Sequence, residues 1–284
     1  MTSSLVGSEM CIRDRYYNHE FDDSELRMMI DSILFSKTIP AGQASELIKK
    51  IAGLSNIYFT NKMTHVSSLP GLEHTSNQQT LYNVGLIDDA ISEKKQISFV
   101  YNNYWEDKKL HPRREEPYIV NPYQMVANDG KYYLVCNYDK YDTLSNYRVD
   151  KMTQVKIINK PAKKRDKVKG MEHGLNLPKH MAEHIYMFAD EPVTIILRVK
   201  KSAISDIVDW FGSNFDVVDE SIARQYEGFR ETTDAVTYVR LVCSRQAMSH
   251  WAMQYGTSVE VIYPTELRTQ IGEAVKEMNN RYND

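Results

Sequence analysis

The sequence has few cysteines and no long hydrophobic run. Its 284 residues include only Cys11, Cys136 and Cys243, and their odd number and wide spacing argue against a disulfide framework. No apolar stretch approaches the ~20 residues that cross a bilayer. The first residues lack the basic start and apolar core of a signal peptide. These absences predict a cytoplasmic protein without a membrane partner.

Motifs for catalysis, metal ions and cofactors are also lacking. The sequence contains no Cys-x-x-Cys pair, no glycine-rich phosphate loop and no Gly-x-Ser-x-Gly elbow. His180 and His184 have the i, i+4 spacing that places two side chains on one helix face, but Glu183 is in the wrong place for a His-Glu-x-x-His zinc motif. We therefore expect a protein that is not an enzyme and that uses neither a cofactor nor a metal ion.

Charge is unevenly distributed along the chain. The net charge is only −3, yet the stretch from Lys94 to Lys169 contains 17 basic and 9 acidic residues, which leaves the remainder strongly acidic. A basic middle region favours an anionic partner, either nucleic acid or a phosphorylated ligand. The alternative is a β-domain whose lysines protect its edges from aggregation.

The first residues differ from the rest. The string from Leu5 to Arg15 resembles the translation of a transposase-type sequencing adapter. We therefore expect residues 1–15 to be an artefact without stable packing, the genuine protein to begin near Tyr16, and the gene to be truncated at its 5′ end.

Residues 16–80 have a helical pattern. Asp22 and Glu25 form a capping-box signature ahead of the first apolar repeat, and a second repeat follows it at helical spacing. A third helix is predicted from Leu81 to Glu93, after a polar connector over 60–79.

Residues 81–165 are predicted to form one domain, in which this third helix leads into a β pattern. An Asp129-Gly130 pair between two β-rich runs predicts a hairpin, because glycine accepts the positive φ of the turn. Five short strands with tight turns favour a small barrel. These strands are predicted around Ile97–Tyr101, Tyr118–Val126, Lys131–Asn137, Asn146–Val149 and Val155–Ile158.

A linker over 166–191 precedes a second unit over 192–284. Its periodicities predict strand, helix, strand, strand, helix and strand, followed by a closing helix from Pro264. This order is the ferredoxin-like arrangement. The predicted fold class is therefore α+β: linker helices, a small β-barrel and a ferredoxin-like extension.

Three segments carry a family resemblance. Lys131-Tyr132-Tyr133-Leu134 resembles the Trp-Tyr-Leu signature that names WYL domains, with Tyr132 in the tryptophan position. Tyr147–Met152 is similar to the family's aromatic-Arg-φ-Asp-Arg/Lys-φ strand, and Val120–Tyr123 to its valine-x-proline-aromatic segment. In this order they resemble WYL domain-containing transcriptional regulators of the YafY-like family, and the resemblance extends over nearly all of the chain after Tyr16.

The resemblance implies a fold and a function. Such regulators have a winged-helix head, an Sm-like or SH3-like barrel that senses an effector, and a dimerising or modulating tail. It implies that this chain is the effector-sensing part of a bacterial transcriptional regulator, with an oligonucleotide or a nucleotide-like anion as ligand. It further implies a homodimer, and DNA binding through a winged-helix head that this sequence lacks.

Residue chemistry and the resemblance together select a ligand site. The planar fork of an arginine matches phosphate, and tyrosine rings stack on bases. The candidate ligand-binding residues are Tyr132, Tyr147, Arg148, Lys151, Tyr123 and Arg113.

Structural roles remain open for the same residues. Arg148 has an alternative role in a salt bridge with Asp150. Because Tyr132 and Tyr133 alternate faces on a strand, one of them is expected in the core. Simple packing is the alternative for Tyr123, and a solvated hairpin for Arg113.

Two functions of different classes follow. The first is a ligand-gated transcription regulator whose barrel passes a signal to a DNA-binding head. The second is a stand-alone nucleic-acid-binding or protein-interaction module without a promoter-binding role. A winged helix encoded immediately upstream of Tyr16 would favour the first.

Overall fold

A computed structural model describes residues 21–55, 59, 75–231 and 233–283. The predictions for residues 1–15 and for most of the polar connector lie outside the described residues. The described part contains two separate antiparallel sheets. None of its helices combines the length and the hydropathy needed to span a membrane.

Two N-terminal helices pack together, α1 (Asp23–Phe35) and α2 (Ala41–Ala52). The predicted capping box is confirmed: the Asp22 carboxylate accepts from the Glu25 amide at 2.9 Å, and the Glu25 carboxylate accepts from the Asp22 amide at 2.9 Å. Each contact satisfies a backbone donor that the start of a helix otherwise leaves unpaired.

The β-rich region forms one curled sheet behind a helix. Its elements are α3 (Thr80–Ser92), β1 (Lys95–Tyr104), β2 (Leu110–Pro112), β3 (Tyr118–Asn128), β4 (Lys131–Asn137), β5 (Leu144–Arg148), a 3-10 turn (Val149–Lys151) and β6 (Met152–Pro161). The strands follow the order β2-β1-β3-β4-β5, with β6 pairing β1, and every pairing is antiparallel. The sheet curls into a half-barrel.

The concave face of the half-barrel holds an apolar core closed by α3. Ile87 and Ala90 of the helix are fully buried against it. The strands contribute Ile97, Phe99 and Leu134, none of which is exposed. Burial of such side chains stabilises the fold by roughly 1.5–3 kcal/mol each.

The predicted β3–β4 hairpin is confirmed. Asp129 and Gly130 have φ values of 48° and 70°, as a two-residue type I′ turn requires. Glycine is needed for a second reason: a Cβ on Gly130 would lie 2.8 Å from the carbonyl oxygen of Phe35. The Lys37 amide donates to the Gly130 carbonyl oxygen at 2.7 Å, so the corner between α1 and α2 rests on this hairpin.

The C-terminal unit follows a short linker helix, α4 (Leu177–Glu183). The unit comprises β7 (Pro192–Lys200), α5 (Ile204–Phe211), β8 (Phe215–Val218), α6 (Glu220–Ala223), β9 (Val236–Ser244), α7 (Arg245–Gln254), β10 (Val259–Tyr263) and α8 (Thr265–Asn283). Its sheet has the order β10-β7-β9-β8, and β7 does not pair with the half-barrel. The predicted strand and helix order is observed, with one additional helical turn, α6.

The linker covers the convex face of the half-barrel. Met187 packs against Val126 and Val135, which point away from the concave core. Side-chain amides fix the contact: Asn128 donates to the Ile185 carbonyl oxygen at 3.3 Å. The linker therefore lies between the two sheets as a packed layer.

Candidate ligand-binding site

Arg148 ends β5 and forms a two-pronged ion pair. Its Nε lies 3.1 Å from Oδ1 of Asp150, and its Nη2 lies 2.6 Å from Oδ2. Asp150 is 1% exposed, whereas the Arg148 side chain is 25% exposed. The alternative role of Arg148, a salt bridge with Asp150, is therefore present. The ion pair does not involve Nη1 of Arg148. The carboxylate fixes the guanidinium at the surface.

Three asparagines that sequence reasoning missed hold the turn after Arg148. The Asn77 side chain donates to the carbonyl oxygens of Asp150 at 3.0 Å and Met152 at 2.6 Å. Asn83 donates to the same Met152 oxygen at 2.9 Å, and Asn102 to the Lys151 oxygen at 2.9 Å. All three are buried. Because buried side-chain amides satisfy these carbonyls, the turn has a fixed shape.

Lys151 stands on that turn among other cations. Burial lowers the pKa of Lys151, and the positive charges of Arg148, Lys131 and Arg113 lower it further, against the opposing effect of Asp150. The four basic side chains, Arg113, Lys131, Arg148 and Lys151, are called the cation cluster below.

The cation cluster has more positive than negative charge. Arg148 is paired with Asp150, and Lys131 lies 3.1 Å from Asp129, which also pairs with Lys37. Arg113 and Lys151 form no ion pair with any other described residue. Packing like charges together is unfavourable without a counter-charge, so the arrangement favours a bound anion.

Aromatic side chains lie beside the cluster. The Lys151 ammonium is 6.0 Å from the centre of the Tyr104 ring, and Tyr104 is exposed. Tyr133 stands directly opposite Arg148 in the β4–β5 register, so the two side chains share a face. Burial raises the pKa of Tyr133. Sequence reasoning selected Tyr132, since only the strand register shows which tyrosine accompanies Arg148.

Tyr132 and Tyr147 lie on the opposite face from Arg148. Tyr147 pairs with Leu134, and Tyr132 is two residues from Leu134, which places both on the concave side. Tyr132 is nevertheless 37% exposed at the hairpin end, where its amide donates to the Thr38 hydroxyl at 3.0 Å.

Tyr147 belongs to an aromatic cluster of the concave face. Its ring centre lies 4.9 Å from that of Tyr101 and 5.4 Å from that of Tyr118, and its hydroxyl is 2.6 Å from that of Tyr138. Burial raises the pKa of Tyr147. Arg114 covers the cluster, its guanidinium carbon 3.5 Å from the Tyr118 ring centre. The structure thus gives Tyr147 packing partners rather than a free ring face.

Tyr123 lies in a different cluster. It is 3% exposed and packs with Val168 and Met171 of the linker. Its hydroxyl donates to the Lys163 carbonyl oxygen at 2.9 Å, and its own carbonyl oxygen accepts from Arg165 at 2.8 Å. The predicted set is therefore divided: Arg148 and Lys151 flank the same turn, Arg113 is joined to them only by its charge effect on the Lys151 pKa, and Tyr123 lies elsewhere.

A cleft toward the C-terminal unit includes one member of the cation cluster, Lys131, and its ion-pair partner Asp129. This cavity of about 660 Å³ is lined on the half-barrel side by Lys131 and Tyr133. Tyr186 of the linker and Trp210 of α5 line the other side, with their ring centres 5.2 Å apart. A planar group held by the cations would therefore meet aromatic surface from both units.

The two linker histidines form a separate pair. The rings of His180 and His184 are 4.6 Å apart and largely buried. Burial, with a smaller contribution from His184, lowers the pKa of His180 to about 4. Across the described ranges no three His, Cys, Asp or Glu side chains are grouped as a metal ion would need.

Two family models match separate parts of the chain. Residues 83–157 match the WYL domain and residues 191–278 match the WCX domain. The first match covers most of α3 and the half-barrel, with the cation cluster, and the second covers most of the C-terminal unit. The chain therefore contains a region similar to the WYL domain, followed by a region similar to the WCX domain. No curated protein matches the chain significantly.

Two solved structures are similar over most of this chain. The structure of proteasome accessory factor B/C of Arthrobacter aurescens is 14% identical, with a TM-score of 0.32 and coverage of 93% of this chain and 37% of that one. The chain thus spans little more than a third of that protein. A CRISPR Cas-related protein is 12% identical, with a TM-score of 0.44 and coverage of 94% and 75% of the two chains.

Proposed function

We propose that this WYL-domain protein is the effector-sensing part of a transcription regulator, and that the cation cluster binds a short oligonucleotide or nucleotide-like anion. The observation that carries the proposal is the strand register, which places Arg148 opposite Tyr133, two residues from Lys131, while Lys131 and Tyr133 also line an aromatic cleft. The WYL match supports this ligand class, since WYL domains are known to bind nucleic acids. The proposed role is binding, without a catalytic step.

The chemistry of the site suits phosphate and base together. Nη1 of Arg148 and the ammonium of Lys151 are donors that a phosphate oxygen accepts from. A base next to that phosphate would stack in the cleft between Tyr133 and Trp210. Charge alone attracts any polyanion, so the stacking surface is what favours a nucleic-acid ligand over inorganic phosphate.

The site is connected to the N-terminal helices, which gives a route for a signal. The Thr38 hydroxyl donates to the Gly130 carbonyl oxygen at 3.2 Å and accepts from the Tyr132 amide. The hairpin that presents Lys131 and Tyr133 therefore contacts the α1–α2 corner. In the proposed regulator, a ligand that moves this hairpin moves the helices that would lead to a DNA-binding domain.

The direct test compares oligonucleotide binding by Lys151→Gln and by a matched control. Lys151 makes no ion pair with another described residue, so its removal strands no buried carboxylate, unlike Arg148→Ala. Each lost phosphate contact should reduce the slope of log Kd against log salt by about 0.7 for a single strand. Fluorescence anisotropy with a labelled oligonucleotide measures both affinity and slope.

The control is Lys156→Gln, which removes an exposed lysine of β6 outside the cluster. We expect a weaker and less salt-dependent complex for Lys151→Gln, and unchanged binding for Lys156→Gln. Equal losses in the two variants would mean that the chain binds through general charge, and the site assignment would be wrong. No binding by the unsubstituted chain would favour a protein-interaction role for the half-barrel.

The transcriptional role has a separate test. If the role is correct, we expect the gene to encode a winged helix upstream of Tyr16, and the complete gene sequence would show whether it does. An upstream sequence without a DNA-binding domain would favour the stand-alone module.

The proposal includes a ferredoxin-like C-terminal unit and a homodimer. One face of α8 supports the dimer, because Val275, Met278 and Tyr282 are exposed and recur at the spacing of a helix-pairing stripe. Tyr282 is 84% exposed. Analytical ultracentrifugation of Met278→Glu against Lys276→Glu tests this: only the first should shift the chain toward monomer, and a monomeric parent chain would contradict it.

A further inference from the structure

The cluster that contains Tyr123 borders a second cavity, distinct from the cation cluster. The cavity measures about 500 Å³ and lies where the chain leaves β6 and crosses β3. Its apolar residues, called the floor below, are Ile91, Pro122, Tyr123 and Ala162, and its lining is mostly apolar. A small molecule bound there would make mainly apolar contacts and few hydrogen bonds.

The walls of this cavity are held by backbone contacts. The Ala162 amide donates to the Lys94 carbonyl oxygen at 2.8 Å, which joins the residue after β6 to the turn between α3 and β1. The Lys163 amide donates to the side chain of Asn121 at 2.9 Å. Tyr123 occupies a bulge of β3 and donates to the Lys163 carbonyl oxygen. The cavity is thus formed by fixed structure, as binding sites for small molecules are.

The rim is basic and largely without counter-charges. Lys94, Lys163, Lys164 and Arg165 all line the cavity. Lys163 pairs with Asp142 at 2.7 Å. The other three form no ion pair with any residue in the described ranges, and no acidic residue lines the cavity.

Lys94 has a left-handed backbone conformation that glycine adopts more readily than lysine. Its φ of 54° is left-handed, and it directly follows α3 and the capping residue Glu93. Glycine is the preferred residue at this position. A lysine there accepts backbone strain and places a cation at the rim of an apolar cavity.

We propose that this cavity binds a small apolar monocarboxylate. The apolar floor would take the hydrocarbon or aromatic body, and Lys94, Lys164 and Arg165 would neutralise the carboxylate at the mouth. A neutral apolar molecule would bring no counter-charge for the three cations. A small inorganic anion would leave the apolar floor exposed to water. The site is independent of the proposed oligonucleotide site, since none of its lining residues belongs to the cation cluster.

The experiment is isothermal titration calorimetry of the full chain with naphthoate as the probe, and with naphthylmethanol as its neutral counterpart. We expect saturable binding of naphthoate at one site and markedly weaker binding of the alcohol. Lys94→Glu and Lys164→Glu change exposed side chains, and each should raise the dissociation constant about fivefold or more. Ala162→Trp, which fills the cavity, should abolish binding while the circular dichroism spectrum stays unchanged.

Two control variants separate this site from the rest of the basic surface. Lys156→Glu reverses an exposed charge outside the cavity, and Lys151→Gln alters the cation cluster; both should leave naphthoate binding unchanged. Equal affinity in Lys164→Glu and Lys156→Glu would overturn the proposal. So would loss of binding in Lys151→Gln, tight binding of the alcohol, or the absence of any naphthoate binding.

Discussion

The half-barrel and the C-terminal unit are both antiparallel sheets covered by helices, yet their interiors differ. The half-barrel and the segment leading into it bury amide and carboxylate groups, among them Asn77, Asn83, Asn102 and Asp150. The C-terminal unit is filled by apolar side chains around Trp251 and Phe211, and its buried polar side chains are small hydroxyls, Ser244 and Ser249.

The difference shows that the half-barrel buries polar groups whose desolvation is unfavourable. Burial of a polar group is unfavourable unless every hydrogen bond is made, so an apolar interior is the simpler way to stabilise a fold. In the half-barrel the buried amides hold the turn that presents Arg148 and Lys151. The buried amides of the half-barrel therefore fix the shape of the candidate site as well as stabilising the fold.

The largest expected effect tests the apolar side of this comparison. Trp251 is fully buried in the C-terminal core, and Trp251→Ala should lower the free energy of unfolding of that unit by about 3–5 kcal/mol. Hydrogen exchange measured by mass spectrometry should show lost protection in β7, β9 and β10. Equal loss in β1 and β3 would mean that the two sheets unfold as one cooperative unit.

The next effect tests the polar side. Asn102→Ala removes the donor to the Lys151 carbonyl oxygen and to the Thr153 hydroxyl, at 2.9 and 3.0 Å. The expected loss is about 1–3 kcal/mol of stability, together with weaker oligonucleotide binding, because the turn that presents Lys151 loosens. Chemical denaturation and anisotropy measure the two effects. The control is Asn280→Ala on exposed α8, and lost stability with intact binding would show that the amides serve only the fold.

A pH effect distinguishes the linker from both sheets. Burial depresses the pKa of His180 to about 4, below the ordinary value of about 6.5. As pH falls, His180 is therefore protonated in the unfolded chain before it is protonated in the folded one. The stability that neutral His180 contributes is complete above pH 6.5 and is lost as pH falls toward 4.

Between pH 6.5 and pH 5 the contribution of His180 to this loss should be about 1–2 kcal/mol. His180→Leu should flatten that part of the profile, and thermal unfolding across pH measures it. His184, whose pKa burial also lowers, supplies the remaining dependence. An unaltered profile in His180→Leu would mean that the imidazole is hydrated in solution.

Much of the fold was predictable because local signals were strong. The Asp129-Gly130 turn and the Asp22–Glu25 capping box were both visible in the sequence, and both are confirmed. Strand β2 (Leu110–Pro112) and helix α6 (Glu220–Ala223) were missed, because three residues and a single turn are too short to show a period.

The site was less predictable, because it depends on register and on distant partners. The bulge at Tyr123 shifts the β3 register between Pro122 and Gln124, so a simple alternation of faces fails there. Tyr133 is identified as the neighbour of Arg148 only by the β4–β5 pairing. Asn102 reaches its partner across 49 positions of sequence, and no local pattern reports such a contact.

The smallest effects come from a matched pair of hydroxyl deletions. Tyr138→Phe removes the half-barrel contact to the Tyr147 hydroxyl at 2.6 Å. Tyr255→Phe removes the contact in the C-terminal unit that accepts from the Trp210 indole at 3.0 Å. Each should lower stability by about 0.5–1.5 kcal/mol, the net value of one hydrogen bond, as measured by chemical denaturation.

The two deletions should differ in their effect on ligand binding, because only the first removes a contact to the residue next to Arg148. Tyr147 directly precedes Arg148, whose backbone amide donates to the Tyr101 hydroxyl at 3.4 Å, so the aromatic cluster supports the base of the site from the concave side. Tyr138→Phe should therefore weaken oligonucleotide binding modestly. Trp210 lines the cleft on the side of the C-terminal unit, where its ring stays packed against Tyr186 without the hydroxyl of Tyr255. A larger binding loss in Tyr255→Phe would place the main ligand contacts on the C-terminal side of the cleft and reverse the comparison.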